Sequence, residues 1–369
     1  MSVPTPASPN PNLAPEAKEA ATRFLQASRA LASDHSYWPV RMFSSLNLFL
    51  WHLEAFEGKE DPVPLFVEAF NRTSVFLETA AQSGVCCNLF PAPDKSGAFI
   101  DEDGFEESVY SLFSDVWVDM TDDIYFDETF RFTKERLEKS GVDTEALFKD
   151  KVVLDGGCGS GKFSTALAQF GAARVIGLDL GEKGLEFARK QAEKVPYGKN
   201  LEYVHGSLLD IPLENQSVDM VWSNGVIHHT LDYEKCVSEF ARIIRPGGTL
   251  FLYVNGRFGL FELLQDTLRL ADADIPRHLF QHFIKSLGVN SGRLYWLMDC
   301  LYAPYEYKSS DNVIALLEKY GFSDIRQLTR GVATDQIEQV STGLPYAEIK
   351  YGEAQLKFLA KKNRSDFAG

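Results

Sequence analysis

From Ala17 onward, apolar residues recur at three- and four-residue spacing: Ala21, Phe24, Leu25 and Leu31, then Phe43, Leu46, Leu50 and Leu53. That period lays an apolar stripe along a helix. Residues 63–82 repeat it, and Gly84 suits the end of such a helix. Residues 17–122 are therefore read as an N-terminal helical region. Ahead of them, residues 1–16 carry Pro4, Pro6, Pro9, Pro11 and Pro15 and little to bury, so a disordered tail is expected. Beyond Lys151 the texture changes. Short β-rich apolar runs stand at 152–154, 174–178, 201–204, 218–222 and 250–254, with helical texture at about 162–170, 183–195 and 233–244. Alternation of this kind builds parallel strands with crossover helices on both faces. A helix-like, aromatic-rich insertion follows at 256–308, then a helix at 311–320 and strands at 323–328 and 355–360. The expected fold is α/β: a doubly wound, mostly parallel seven-stranded sheet in residues 123–369, with 256–308 as a helical cap over the carboxyl ends of the strands.

Composition narrows the class. Apolar residues make up 45% and charged residues 24% of 369, the balance of a soluble globular chain. Lys and Arg number 37 against 52 Asp and Glu, a net charge of −15, the wrong sign for neutralising phosphates, so no nucleic-acid partner is expected. No run approaches the roughly 18 apolar residues of a membrane span, and the first residues lack the pattern of a signal peptide; a cytoplasmic protein without a membrane partner is expected. Cys86, Cys87, Cys158, Cys236 and Cys300 show no C-x-x-C and no zinc spacing, so reduced thiols and no metal are expected. Residues 101–128 hold eleven acids and no Lys or Arg, interleaved with aromatics including Tyr110, Trp117 and Tyr125. Such a run is read first as a solvated face backed by core rings, and second as a rim that welcomes a cation.

The chemistry is concentrated where the run at 152–154 passes into Asp155, Gly156, Gly157, Cys158, Gly159, Ser160 and Gly161 before helical texture resumes at Lys162. Glycines here let a ligand lie against bare backbone near a helix N-terminus. The dinucleotide fingerprint G-x-G-x-x-G fails in both registers, because position 162 is Lys and position 164 is Ser. The pattern D-x-G-x-G-x-G, carried by Asp155, Gly157, Gly159 and Gly161, resembles the class I S-adenosylmethionine-dependent methyltransferases, whose sheet is Rossmann-like. Over about 100 residues further motifs match in order. Asp179 closes the second strand, where family members hold the ribose hydroxyls; Asp210 follows the third, where an Asp meets the adenine amino group; 218–224 and 245–250 resemble the fourth strand and the turn into the fifth. Taken singly, each piece has a plain local reading as a capping acid, an exposed loop acid or a Pro-Gly-Gly turn. The resemblance implies S-adenosyl-L-methionine as cofactor, held by Asp155, Gly156, Gly157, Cys158, Gly159, Gly161, Asp179, Leu180, Leu209, Asp210, Asn224 and Gly225. Cys158 is read as a small filler, not a nucleophile.

The exit of the fourth strand places His228 and His229 where family members position acceptor-facing groups. Either imidazole can take a proton as a methyl group moves, and the alternative is local packing. The [DN]-P-P-[YF] turn of enzymes acting on base or glutamine nitrogens is missing from this place. In-line alignment of the acceptor supplies roughly 7–11 kcal/mol of barrier reduction. Residues expected to line the acceptor or sulfonium are Trp117, Tyr125, Arg257, Tyr295 and Tyr305, with Arg131, Asn255 and Tyr302 as further candidates. Arg257 would anchor a carboxylate. The expected function is methyl transfer to a small molecule, with the atom open among oxygen, nitrogen, sulfur and carbon. A binding protein that uses the same cofactor without methyl transfer is the alternative. The N-terminal helices are candidates for a lid, a homodimer contact or both.

Overall fold

The computed structural model describes residues 13–32, 34–83, 121–289 and 291–364. In chain order its helices are α1 (Pro15–Ala30), α2 (Trp38–Glu57), α3 (Pro62–Ser83), α4 (Thr129–Lys139), α5 (Thr144–Phe148), α6 (Lys162–Gln169), α7 (Glu182–Ala192), α8 (Tyr233–Ile243), α9 (Leu260–Ala271), α10 (Arg277–Ser286), α11 (Ser291–Tyr302), α12 (Ser310–Lys319), α13 (Gln336–Ser341) and α14 (Ala347–Tyr351). The strands are β1 (Val152–Gly156), β2 (Arg174–Asp179), β3 (Leu201–His205), β4 (Val218–Asn224), β5 (Ile244–Asn255), β6 (Phe322–Gln327) and β7 (Gln355–Lys362). They divide into two compact units. Of the described residues, one holds 13–32, 34–83, 257–289, 291–302 and 343–352; the other holds 121–256, 303–342 and 353–364.

The first unit is helical. Pro15, assigned above to the tail, opens α1 instead. Proline suits a first helical turn, where its missing N–H would be unpaired anyway. Phe24 of α1 meets Phe70 of α3 edge-on at 5.5 Å between centroids. On α2 the buried stripe is Met42, Leu46, Phe49 and Phe56, while Phe43 and Leu50 are 56% and 42% exposed. Two overlapping stripes of this helix satisfy the same spacing, so periodicity could not choose between them. Arg41 is fully buried, donating to Asp274 (2.7 Å) and Ser28 (3.1 Å). The His52 ring sits among Phe56 (5.1 Å) and Phe261 (5.2 Å), and burial lowers its pKa to about 4. Lys350 of α14 donates to the carbonyls of Phe56 (2.9 Å) and Gly58 (2.7 Å), drawing a short stretch from near the C-terminus into this unit.

The second unit is built on a seven-stranded sheet of order β3-β2-β1-β4-β5-β7-β6. The pairs among β1 to β5 are parallel, and β7 runs antiparallel to both β5 and β6. Neighbouring residues on one strand point to opposite faces. Leu154, Ile176 and Val221 pack with Val237 and Phe240 of α8 and Leu317 of α12. Val153, Val175, Met220 and Trp222 pack with Leu137 of α4 and Leu167 of α6. Both faces are covered, which is why these strands read as unbroken apolar runs. Across the parallel strands the order reverses between β1 and β4, and the crevice at the carboxyl ends of those strands is where an open α/β sheet receives its ligand.

Candidate active site

At the end of β1 the chain turns through Gly157, Gly159 and Gly161, with φ of +78°, +54° and +78°. Glycine is required here sterically as well as conformationally. A Cβ on Gly157 would stand 2.3 Å from Val226 Cγ1, and one on Gly161 would stand 2.6 Å from the Tyr203 hydroxyl oxygen. The Gly157 and Cys158 N–H groups both donate to the Leu178 carbonyl, at 2.8 and 3.0 Å, which fastens the loop to β2. The Cys158 thiol is buried and pushed well above its usual range by burial, consistent with a filler.

Two carboxylates hold this corner. Asp155, 2% exposed, accepts the Ser164 hydroxyl at 2.6 Å, so it ties β1 to the first turn of α6. Burial raises its pKa to about 7. Asp179, at the tip of β2, accepts the Gly159 N–H on Oδ2 and the Gly181 N–H on Oδ1, both at 2.8 Å. Burial raises its pKa too, opposed by these backbone bonds. Leu180 and Leu209 are half-buried beside these strand ends, and Asp210 is exposed. Asn224 closes β4, and Gly225 (φ +77°) donates its N–H to the Tyr253 carbonyl at 2.9 Å.

Beyond Gly225 the chain makes a 3₁₀ turn, Ile227–His229. Both histidines are buried, at 3% and 7% exposure. His229 Nδ1 lies 2.8 Å from the Pro304 carbonyl, so Nδ1 carries a proton that it donates there. Tyr305 stacks on His228 at 5.0 Å and meets His229 edge-on at 4.3 Å. The parallel register puts β1, β2 and β4 side by side, so the glycine loop, Asp179 and this turn share one edge of the sheet.

The other expected residues are dispersed. Tyr125 is fully buried and donates its hydroxyl to the Ser160 carbonyl at 2.8 Å; it supports the loop from below and has no surface to offer an acceptor. Arg257 belongs to the helical unit, where its Nε lies 3.4 Å from Glu262. Tyr295 lies on α11. Trp117, Tyr110, Cys86 and Cys87 lie outside the described residues. Four supporting residues escaped sequence reasoning: Ser164, Tyr203, Val226 and Pro304. Each acts through a contact across the fold and belongs to no local pattern.

A family model described as a methyltransferase domain matches residues 154–252. Among curated proteins, the chain is 35% identical over 169 residues to malonyl-(acyl-carrier protein) O-methyltransferase of Yersinia pestis, covering 45% of this chain and 58% of that one. It is 36% identical over 115 residues to a ubiquinone biosynthesis O-methyltransferase of Vibrio atlanticus, covering 31% and 47%. The chain thus spans about half the length of these relatives. Among solved structures, the YcgJ protein of Bacillus subtilis aligns with a TM-score of 0.41 at 15% identity, over 62% of this chain and 99% of that one.

Proposed function

We propose that the sheet unit, in which residues 154–252 match a model described as a methyltransferase domain, transfers a methyl group from S-adenosylmethionine to the oxygen of a small-molecule acceptor. The observation that carries this reading is the carboxylate of Asp179 at the tip of β2, held beside the glycine loop by the Gly159 and Gly181 N–H groups, where a ribose hydroxyl would donate to it. The donor set fits the cofactor. Gly157, Gly159 and Gly161 offer bare backbone, Leu180 and Leu209 offer apolar surface for adenine, and Asp210 accepts its amino group. Bound there, the cofactor supplies an electrophilic methyl on a sulfonium.

The chain's own task is to orient the acceptor, exclude water and move one proton. His229 Nε2 takes that proton from the acceptor hydroxyl, with the Pro304 carbonyl holding the ring in the required tautomer. Tyr305 packs against both imidazoles and limits water around them. Oxygen is favoured as the acceptor atom because the two curated relatives described above are named as O-methyltransferases.

Calorimetry with S-adenosylhomocysteine on the full chain tests the cofactor half: Asp179→Ala is expected to weaken binding at least 100-fold. Well-folded wild-type protein that releases no heat with this ligand would overturn the reading. Mass spectrometry of acceptor pools incubated with methyl-labelled cofactor then tests transfer to oxygen.

A further inference from the structure

We propose that a second cavity, at the amino ends of β1, β4 and β5, binds a phosphate dianion, either free or as the monoester of a small metabolite. The cavity measures about 240 Å³ and is lined by Lys151, Asp219, Arg245, Gly247, Thr249 and Lys361, among others. β1 separates it from the glycine loop by five residues, about 16 Å at the rise of a strand, so it is distinct from the cofactor site and independent of the function proposed above.

The charge around this cavity is opposite to that of the chain. The protein carries −15 overall, yet three cations line the cavity against one acid. That acid is already occupied: Asp219 Oδ1 accepts Arg245 at 2.8 Å and Oδ2 accepts the Val152 N–H at 2.8 Å. A fourth cation, Arg364, closes over the turn, its Nε only 3.2 Å from where a Cβ on Gly247 would stand. Gly247 has φ +79°, and the glycine leaves that space open. Among the described residues, neither Lys151 nor Arg364 has an ion-pair partner. These side chains are exposed, so water screens their mutual repulsion, and the hollow between them offers an anion a locally positive potential in an acidic protein.

Two of the cations are fixed by further contacts. Arg245 is held by the Gln216 and Ser217 carbonyls at 3.2 and 2.9 Å, which fixes its guanidinium. Lys361 Nζ donates to Thr249 Oγ1 at 2.7 Å, leaving the threonine O–H and two further ammonium protons for a ligand. The register between β4 and β5 shifts between Val218 and Met220, so the stretch from Arg245 to Gly248 swings out of the ladder and forms the wall. Donors arrive from the start of β1, the turn of β5 and the end of β7. Convergence from several directions suits a tetrahedral dianion better than a planar carboxylate. The volume lies below the range of about 300–1,000 Å³ typical of drug-sized ligands, which favours a small phosphorylated compound over a nucleotide.

Calorimetric titration of the full chain with inorganic phosphate, with glycerol 3-phosphate and with acetate, at matched ionic strength, tests the proposal. Wild type is expected to bind phosphate saturably and acetate not at all. Lys361→Gln and Lys151→Gln should each weaken phosphate binding at least fivefold, the pair at least 20-fold. Lys361→Arg should stay within threefold, and Lys199→Gln, an exposed lysine elsewhere, should change nothing. Tighter binding of glycerol 3-phosphate identifies a monoester ligand, and weaker binding identifies the free ion; both support the site. Unchanged melting temperatures without ligand show that the variants fold. Non-saturable phosphate binding by wild type, saturable binding of acetate with equal strength, or equal phosphate affinity in the double variant would overturn it.

Discussion

Gly157→Ala probes the steric logic of the glycine loop directly. Alanine at φ +78° pays the left-handed penalty of about 1–2 kcal/mol. Its Cβ would also stand 2.3 and 2.7 Å from the two Val226 methyl carbons, and forcing such overpacking adds about 1–3 kcal/mol. The expected loss of stability is therefore about 2–5 kcal/mol. Val226→Ala removes the two closest atoms. Alone it should cost about 1 kcal/mol, because the side chain is only half-buried. In that background the 2.9 Å approach to the Cβ of residue 226 remains, so Gly157→Ala should keep its conformational cost and part of the steric one, and the double-mutant cycle is expected to show a coupling of about 1–2 kcal/mol. Urea denaturation of the four proteins measures this, and calorimetry with S-adenosylhomocysteine reads the loop's binding in parallel. A Gly157→Ala protein within about 0.5 kcal/mol of wild type, or a cost unchanged by Val226→Ala, would refute the close approach of β4's exit to the loop.

Three further outcomes follow from the same geometry. Tyr125→Phe leaves the Ser160 carbonyl without its donor and should lower stability by about 1–2 kcal/mol in urea denaturation; no change would mean that the loop does not rest on this hydroxyl. His229→Gln should reduce turnover by about 10²–10⁴ with S-adenosylhomocysteine affinity intact, and full turnover in this variant would remove the histidine from the proton path. Asp155, whose folded pKa of about 7 lies above the unfolded value of about 3.9, holds a proton that the unfolded chain has released. Its contribution is thus fully present below about pH 4 and lost as pH rises through 7, with an upper bound near 4 kcal/mol; Asp155→Asn should flatten stability against pH in that window, and an unaltered slope in urea titrations would contradict the burial.

What could be read from the chain was what local chemistry dictates. The glycine loop was legible because three left-handed positions need three glycines in a fixed spacing. The position of Asp179 at the tip of β2 was legible because the apolar run before it ends there. The β5 strand was anticipated over 250–254 but extends over Ile244–Asn255, because the Pro-Gly-Gly stretch makes a bulge within the strand where a separate turn was expected. Contacts between distant residues left no trace. Val226 fits Gly157 across 69 positions, and no feature of its own neighbourhood announces that. Tyr125 was read as a ring for a cation because it stands in an acidic aromatic run; its use depends on Ser160, a loop residue 35 positions away. Lys350 joins the helical unit only through carbonyls more than 290 positions upstream.

The amino-edge cavity shows the same limit from the other side. Lys151, Arg245, Lys361 and Arg364 are spread over more than 200 residues in an acidic chain, so charge counting along the sequence dilutes them to nothing. The sheet alone collects them, because parallel strands start together on one edge just as they end together on the other. The two edges therefore divide the chemistry by a rule of topology. Carboxyl ends run into glycine turns and helix N-termini, where open α/β sheets place their ligands, whereas amino ends gather whatever side chains the incoming loops carry. Here those side chains are cations, which gives the amino edge a ligand preference that the composition of the whole chain conceals.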